Sequence, residues 1–189
     1  MRRSKEDAAQ TRASAVRAAA KLFRARGFDG VGLKDIMHAI GMTHGGFYRH
    51  FASKDALATE AVAAASDETL TGHRALAASL PPGDAFRTFI EGYLSPEHVA
   101  HPERGCPLAA LAADGGRQPS PTRKAFTSAI AATLSALETV LPRGPARRRR
   151  ALQTLASIVG AVVLARATAD PELAQEMLDN VRAGILDPA

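Results

Sequence analysis

The fold of this chain is decided by residues 35–57, which read DIMHAIGMTHGGFYRHFASKDAL. Two short amphipathic segments, Leu33–Ile40 and Thr43–Phe51, are separated by a turn at Gly41. Two short helices joined by a glycine-containing turn are the pattern of a helix-turn-helix. Apolar side chains suited to hold the two helices together are Ile36, Ile40, Met42, Phe47 and Phe51.

The outer face of the second helix carries polar side chains and two glycines, Gly45 and Gly46. Each glycine costs a helix roughly 1 kcal/mol relative to alanine, and a plain helical bundle gains nothing in return. On a DNA-facing helix, the missing side chains let the backbone approach DNA closely. We therefore predict that this segment contacts base edges and phosphates. The predicted DNA-binding residues are Lys34, Thr43, His44, Gly45, Gly46, Tyr48, Arg49, His50 and Lys54.

The charge of the chain is concentrated in its first third. The net charge is +5 and the pI is about 9.9. Residues 1–54 hold 11 basic and four acidic side chains, a net of +7, whereas residues 55–189 have a net of −2. A basic segment on a nearly neutral body is typical of a polyanion binder. On charge alone, a solvated basic face and non-specific coating of nucleic acid are alternatives.

Composition predicts an all-α protein of about nine helices, because alanine is abundant and no sustained alternation of apolar and polar residues occurs. The single cysteine excludes an intrachain disulfide framework. With no signal-peptide pattern and no apolar run near the ~20 residues that a bilayer requires, we expect a cytoplasmic protein without a membrane partner. No nucleophile elbow, paired-carboxylate motif or phosphate loop is present, so neither enzyme activity nor a cofactor is predicted.

Residues 35–57, with AAKLF at 19–23 and GFDGV at 27–31, closely resemble the signature of TetR-type transcriptional regulators. The resemblance implies an N-terminal helix-turn-helix domain, residues 1–53. It also implies a C-terminal helical domain, residues 54–189, that binds a small molecule and dimerises. The positions that match backbone-contacting residues of the family are Thr43, Tyr48, His50 and Lys54; those at or near bases are His44, Gly45 and Gly46.

Two positions depart from the family pattern. Gly32 stands where a threonine or serine often caps the second helix, so a hydroxyl contact to phosphate is lost. Gly46 stands where a side chain often reads a base. Base specificity must then come from DNA shape or from other groups. The candidate groups are Thr43, His44, Arg49 and the basic tail Arg2-Arg3-Lys5.

The C-terminal part contains side chains suited to line a pocket between helices. No Lys or Arg falls clearly on the inner helix faces, so we expect a neutral, lipophilic small-molecule effector. Ordinary core packing is the alternative for any one of these positions. The predicted ligand-binding residues are Phe86, Phe89, Tyr93, Cys106, Phe126 and Ile130.

Cys106 lies in the sequence RGCPL at 104–108, beside a predicted helix start and an arginine. Both features lower the pKa of a thiol, which makes a sensor of electrophiles or oxidants an alternative function. The motif is similar to a Gly-Cys motif in one branch of the family that includes thiol-based sensors. A small buried apolar residue is the simpler interpretation. His98, His101 and Cys106 have zinc-ligand chemistry, but their spacing in a predicted loop is unfamiliar, so no metal site is predicted.

The last two helices are predicted to form a dimer surface, because two apolar stripes from each subunit would pack as a four-helix bundle. A twofold dimer presents two recognition helices to a pseudo-palindromic operator in double-stranded DNA. The predicted interface residues are Leu155, Val159, Val162, Val163, Met177 and Val181. The sequence alone does not explain why four arginines stand at positions 147–150. The predicted function is a homodimeric repressor released by a small apolar ligand, with an activator and the thiol sensor as alternatives.

Overall fold

The computed structural model describes residues 5–187, and over that range the protein is all-helical, without a strand. The all-α prediction is confirmed. There are ten α-helices in the described range, one more than predicted, together with one 3-10 turn at Pro102–Arg104. The helices are α1 Lys5–Arg26, α2 Leu33–Ala39, α3 His44–Tyr48, α4 Lys54–Ser79, α5 Pro82–Tyr93, α6 Pro96–Ala100, α7 Pro107–Gly115, α8 Ser120–Val140, α9 Arg147–Ala167 and α10 Pro171–Leu186.

Local signals in the sequence set several of these boundaries. The Ser53 hydroxyl accepts a hydrogen bond from the Ala56 N–H at 3.0 Å and so caps α4. Asp170 caps α10 in the same way, accepting from the N–H groups of the first turn. Gly27 follows the end of α1 with φ +72°, and Gly41 follows α2 with φ +60°. Glycine adopts this left-handed backbone without strain, which explains both stops.

The segment between α5 and α7 was predicted to be a polar loop, and this is wrong. Instead, it forms α6 and the 3-10 turn. The Ser95 hydroxyl accepts from the His98 N–H at 3.1 Å, and Pro96 occupies the first helical position. Serine followed by proline is a helix-start signal, so the local sequence did carry the information.

Helix α4 is the central element. It packs against α1 of the N-terminal part and against α8, α5 and α7 of the C-terminal part. The hydrophobic core is continuous across these helices. Phe28, after α1, meets Phe126 of α8 edge-on at 6.3 Å between ring centroids. The two parts thus share one core, and the domain boundary at residues 53 and 54 stays a prediction.

Helix α9 is, by length and composition, the only helix in residues 5–187 that could cross a bilayer. Its residues Ala151, Leu155, Ile158 and Val162 are buried in the core of the protein. The helix packs against α10, α8, α7 and α6. A core helix passes the same test of length and composition, so α9 carries no membrane assignment.

Candidate nucleic-acid interface and an internal cavity

The apolar residues predicted to join α2 and α3 are buried. Ile36 and Phe47 are fully enclosed, and Phe51 is almost so. The rings of Phe47 and Phe51 lie 5.4 Å apart. Ile40 and Met42 are partly buried against the same core. This packing fixes the angle between the two short helices and leaves the opposite face of α3 to solvent.

That solvent face carries most of the predicted DNA-contacting side chains. Thr43, His44 and Arg49, on α3 or at its ends, are exposed, and Tyr48 is 52% exposed. Lys34, which is also exposed, lies on α2. The rings of His44 and Tyr48 meet edge-on at 5.1 Å, so they form one polar-tipped aromatic pair. The arrangement places hydrogen-bond donors of several kinds on one short helix.

The two glycines of α3 have different structural roles. The Gly46 N–H donates to the Thr43 hydroxyl at 3.2 Å, which caps the helix. A methyl group on Gly46 would lie 3.0 Å from Met42 Cγ and 3.2 Å from that hydroxyl, so packing within the chain favours glycine there. A methyl group on Gly45 would meet no atom within 4 Å. Close approach of DNA thus stays an explanation for Gly45.

Two of the predicted phosphate contacts are engaged within the chain. Lys54 is half-buried and its ammonium group donates to the Phe28 carbonyl at 2.6 Å. His50 is also half-buried, with its ring 6.3 Å from that of Phe51. An ammonium group has three donors, so Lys54 retains two for other partners.

Gly32, the other departure from the family pattern, has a local explanation. The Gly32 N–H donates to the Asp35 carboxylate at 2.7 Å, so the start of α2 is satisfied without a capping hydroxyl. In the basic tail, Lys5 is exposed at the start of α1. Arg2 and Arg3 lie outside the described residues.

Two adjoining cavities open between the helices of the C-terminal part. One, of about 560 Å³, lies between α4, α5 and α8 and is lined mainly by alanine, leucine and valine. The other, of about 430 Å³, extends past α5 to α6 and the start of α7. His73, Leu76 and Phe89 line both cavities, so the two are neighbours across one wall.

Half of the predicted ligand-binding residues line these cavities: Phe89, Tyr93 and Cys106. The other three predictions are corrected by the packing. Phe86 is buried under the guanidinium group of Arg150, 5.6 Å from its ring centroid. Phe126 packs against Phe28, and Ile130 is 39% exposed on the surface of α8.

His98 ties the wall of the second cavity together. Its Nε2 accepts from the Cys106 N–H at 3.1 Å, so Nδ1 carries the proton and donates to the Tyr93 carbonyl at 2.7 Å. Burial lowers the pKa of His98 and keeps the ring neutral. Both ring nitrogens are therefore used by the backbone. Among residues 5–187 no cluster of three potential metal ligands is present.

Tyr93 and His73 are two polar side chains of the cavity walls. The Tyr93 hydroxyl is buried and has no hydrogen-bond partner. Burial, followed by the neighbouring Cys106, raises the pKa of Tyr93 well above its ordinary value. Burial, followed by His98, lowers the pKa of His73 to about 4. Both groups are thus uncharged near neutral pH.

Arg166, which the sequence did not single out, is half-buried near the second cavity. Arg166 of α9 donates to the carbonyls of His98 at 2.6 Å and Val99 at 3.1 Å, and its Nη1 is buried without a partner. Burial lowers the pKa of this guanidinium group. The expectation that no arginine lies on the inner helix faces is therefore wrong.

Cys106, in the wall of the second cavity, is only 5% exposed.

Comparison with known proteins places these features in one family. Residues 15–61 match the family described as bacterial regulatory proteins, tetR family. Solved structures of TetR-family transcriptional regulators superpose on nearly the whole chain. Residues 15–61 belong to the TetR family. The protein therefore carries the helix-turn-helix of a DNA-binding transcriptional regulator.

Similar structures extend the likeness to the C-terminal helices. A TetR transcriptional regulator from Chloroflexus aurantiacus is 26% identical, with a TM-score of 0.77, covering 96% of this chain and 97% of that one. A TetR-family regulator from Cytophaga hutchinsonii is 22% identical, with a TM-score of 0.79, covering 98% and 96%. E. coli NemR in its reduced form is 19% identical, with a TM-score of 0.80, covering 93% and 95%. No curated protein matches the sequence.

Arg24 joins the helix-turn-helix part of the protein to the cavity wall. Its guanidinium group is buried, with a relative side-chain exposure of 1%. It donates from α1 to the Gly105 carbonyl at 2.9 Å and to the Glu68 carboxylate at 3.1 Å. Gly105 and Glu68 both line the second cavity. No local sequence pattern marks Arg24, because its partners lie 81 and 44 residues away.

The predicted dimer residues divide between two faces of α9 and α10. Leu155 and Val162 are buried within the chain, which corrects their assignment to an exposed interface. Val159, Val163, Met177 and Val181 are half-buried. An apolar groove between α9 and α10 exposes Leu164 and Leu173. We call this surface, lined by Ala156, Gly160, Leu164, Leu173, Met177 and Val181, the α9–α10 groove.

The arginine run at the start of α9 has a structural role in part. Arg150 lies over the Phe86 ring and donates to the Ile185 carbonyl at 3.4 Å. Arg148 pairs with Glu138 at 3.0 Å. These two arginines attach the start of α9 to α5, α8 and α10, whereas nothing in the structure explains Arg147 and Arg149.

Proposed function

We propose that this TetR-family regulator is a repressor that a small apolar ligand releases from its operator. The observation that carries the proposal is the Arg24 link, since Gly105 and Glu68 belong at once to the cavity wall and to the contacts of α1. A ligand that displaces either partner changes the position of α1 against α4. The proposal assigns no catalytic role to any residue.

The mechanism is a two-state equilibrium. One state of a homodimer holds the two recognition helices at the spacing of a pseudo-palindromic operator, and the other does not. The ligand shifts the balance only through its different affinity for the two states. The α9–α10 groove is the proposed dimer surface. Such a protein acts on DNA in the cytoplasm.

On the DNA side, the proposal assigns base-edge contacts to the leading turn of α3 and phosphate contacts around it. His44 and the Gly45 backbone lie at the helix start, where free N–H groups favour anions. Arg49 and Lys34 are exposed cations beside them. Thr43, Tyr48, His50 and Lys54 complete the set, with Lys54 acting through the donors that Phe28 leaves free.

The test is binding to the DNA upstream of the protein's own gene, against scrambled DNA, across a salt series. A preference of about a thousandfold or more that persists at physiological salt is expected. Arg49→Ala should weaken binding, whereas Arg87→Ala, an exposed arginine on α5, should not. Equal affinity for both DNAs, lost together as salt rises, would contradict an operator binder. The position of the bound site relative to the promoter separates a repressor from an activator.

A second candidate function, sensing through the Cys106 thiol, is supported by the place of that residue in the cavity wall beside Tyr93. A reagent that enters the cavity reaches the sulfur. The test is release of DNA by N-ethylmaleimide or hydrogen peroxide in the native protein and in Cys106→Ser. Release that persists in Cys106→Ser would exclude the thiol as the sensor, because the chain has no other cysteine.

A further inference from the structure

The Tyr93 hydroxyl is a hydrogen-bond donor without an oxygen or nitrogen acceptor among residues 5–187. Tyr93 is 6% exposed, and its oxygen is buried with no partner among the described residues. Its side chain lines the second cavity. Buried polar groups are nearly always hydrogen-bonded, so a buried free donor in a cavity wall indicates a missing acceptor.

Neighbouring groups supply no oxygen or nitrogen acceptor. The Cys106 thiol is close enough to raise the pKa of Tyr93, but its sulfur is only a weak acceptor and makes no hydrogen bond of normal geometry with the hydroxyl. His98 uses Nε2 for the Cys106 N–H and Nδ1 for the Tyr93 carbonyl. The His73 ring packs edge-on against Phe89 at 4.4 Å. The acidic side chains that line this cavity, Glu68 and Glu97, are exposed at its rim.

The rest of the cavity wall determines the remaining chemistry of a ligand. The adjoining cavity is lined by Phe89 and Leu76 and by the small side chains of Ala77, Ala132 and Ala136. This surface is apolar and wide enough, at about 560 Å³, for a ring system.

The charged side chains that line the two cavities are of both signs and all exposed: Glu68, Glu97, Arg74 and Arg104. Arg166 lies behind the wall, where it donates to the carbonyls of His98 and Val99. No buried charge therefore lines either cavity to pair with an ionic ligand, which favours an uncharged one.

We propose that the cavity binds an uncharged, ring-bearing molecule with a carbonyl oxygen at one end, and that Tyr93 donates a hydrogen bond to this oxygen. The proposal rests on the proposed function, in which this cavity is the effector site, and it adds the ligand class and the residue that selects it. The apolar ring system occupies the space between α4, α5 and α8. Phe89, which lines both cavities, lies between the ring system and the carbonyl end.

The test compares two probes of nearly equal shape, 2-acetylnaphthalene and 2-ethylnaphthalene, by isothermal titration calorimetry on the full chain. The ketone is expected to bind about tenfold more tightly, since only it accepts from Tyr93. In Tyr93→Phe this difference should vanish, with the affinity for the hydrocarbon unchanged. Thr127→Val, which removes an exposed hydroxyl on α8 outside both cavities, is the control and should keep the full preference.

Equal affinity of the native protein for the two probes would overturn the proposal, as would a preference that survives in Tyr93→Phe. Failure of both probes to bind would overturn it too, and tighter binding of 2-naphthoate would exclude an uncharged ligand. Operator binding, measured separately on the same proteins, tests the proposed function, so the two failures are distinguishable. In Tyr48→Phe, Tyr93 is the only tyrosine left. With carbon-13-labelled tyrosine, its Cζ resonance should shift with the ketone only, even if Tyr93→Phe does not fold.

Discussion

At the scale of single residues, substitutions at the two adjacent glycines of α3 distinguish effects on folding from effects on DNA binding. Gly45→Ala places a methyl group in open space, so the free energy of unfolding should rise by up to about 1 kcal/mol through better helix propensity. The same methyl group would stand on the leading turn and should weaken operator binding. Chemical denaturation of Gly45→Ala measures the free energy of unfolding, and titration with operator DNA measures the affinity.

Gly46→Ala is the matched comparison. Its methyl group presses on Met42 and on the Thr43 hydroxyl that caps α3. Strain on this cap should offset the gain in helix propensity, so Gly46→Ala should not raise the free energy of unfolding as Gly45→Ala does. If Gly45→Ala bound the operator as well as the native protein did, close approach of the backbone to DNA would be excluded as the reason for that glycine.

His73 makes stability depend on pH. Its pKa in the folded protein is about 4, below the ordinary 6.5, because burial and His98 disfavour the charged ring. Below pH 6.5 the unfolded chain therefore takes up a proton that the folded chain refuses. The stabilisation is complete above about pH 6.5 and should be lost progressively as the pH falls toward 4.

The measurement is the thermal unfolding midpoint at several pH values across that window. In His73→Gln the decline with falling pH should be shallower than in the native protein, and the remaining slope belongs to His98 and to the carboxylates. Parallel pH curves for the native protein and the variant would show that His73 titrates normally in the folded state.

At the scale of helices, Arg24 connects α1 to α4 and to the start of α7. Arg24→Met removes donors from the Gly105 carbonyl and the Glu68 carboxylate while keeping the length of the side chain. The free energy of unfolding should fall by about 1–3 kcal/mol. Arg17→Met, an exposed arginine on the same helix, is the control and should change it by less than about 0.5 kcal/mol. Equal denaturation midpoints for the two variants would show that the buried contacts of Arg24 contribute nothing to stability.

Helices were predictable from the sequence where the signal is local. The last helix, which the sequence predicts as one of two dimer helices, is found as Pro171–Leu186, and its apolar repeat and its Asp170 cap lie within one segment. Helix α6 has only five residues, too few for a periodic pattern, although Ser95 and Pro96 marked its start.

The contents of the cavity were less predictable, because they depend on contacts between distant segments. Ile130 looked like a pocket residue by its spacing, but the α8 face that points inward carries Ala129 and Thr133. Arg24 and Arg166 donate hydrogen bonds to partners more than 40 residues away. Periodicity shows that a helix has an apolar face, and only the packing of neighbouring helices shows what that face meets.

At the scale of the whole molecule, the α9–α10 groove leaves apolar surface that a single chain does not cover. Leu164 and Leu173 are 56% and 44% exposed there. The small residues Ala156 and Gly160 in the same groove allow a second pair of helices to approach closely. A four-helix bundle between two copies would bury this surface, and it would set the distance between two recognition helices.

Leu164→Glu tests this arrangement, since it places a charge in the groove at a side chain that the single chain leaves exposed. We expect sedimentation to show a monomer with unchanged helical content. Ile130→Glu alters an exposed apolar residue of α8 and should leave the dimer intact. Operator affinity should fall with Leu164→Glu alone, because a monomer engages one half-site and loses the second, intramolecular contact. A dimeric Leu164→Glu protein with native operator affinity would place the interface elsewhere.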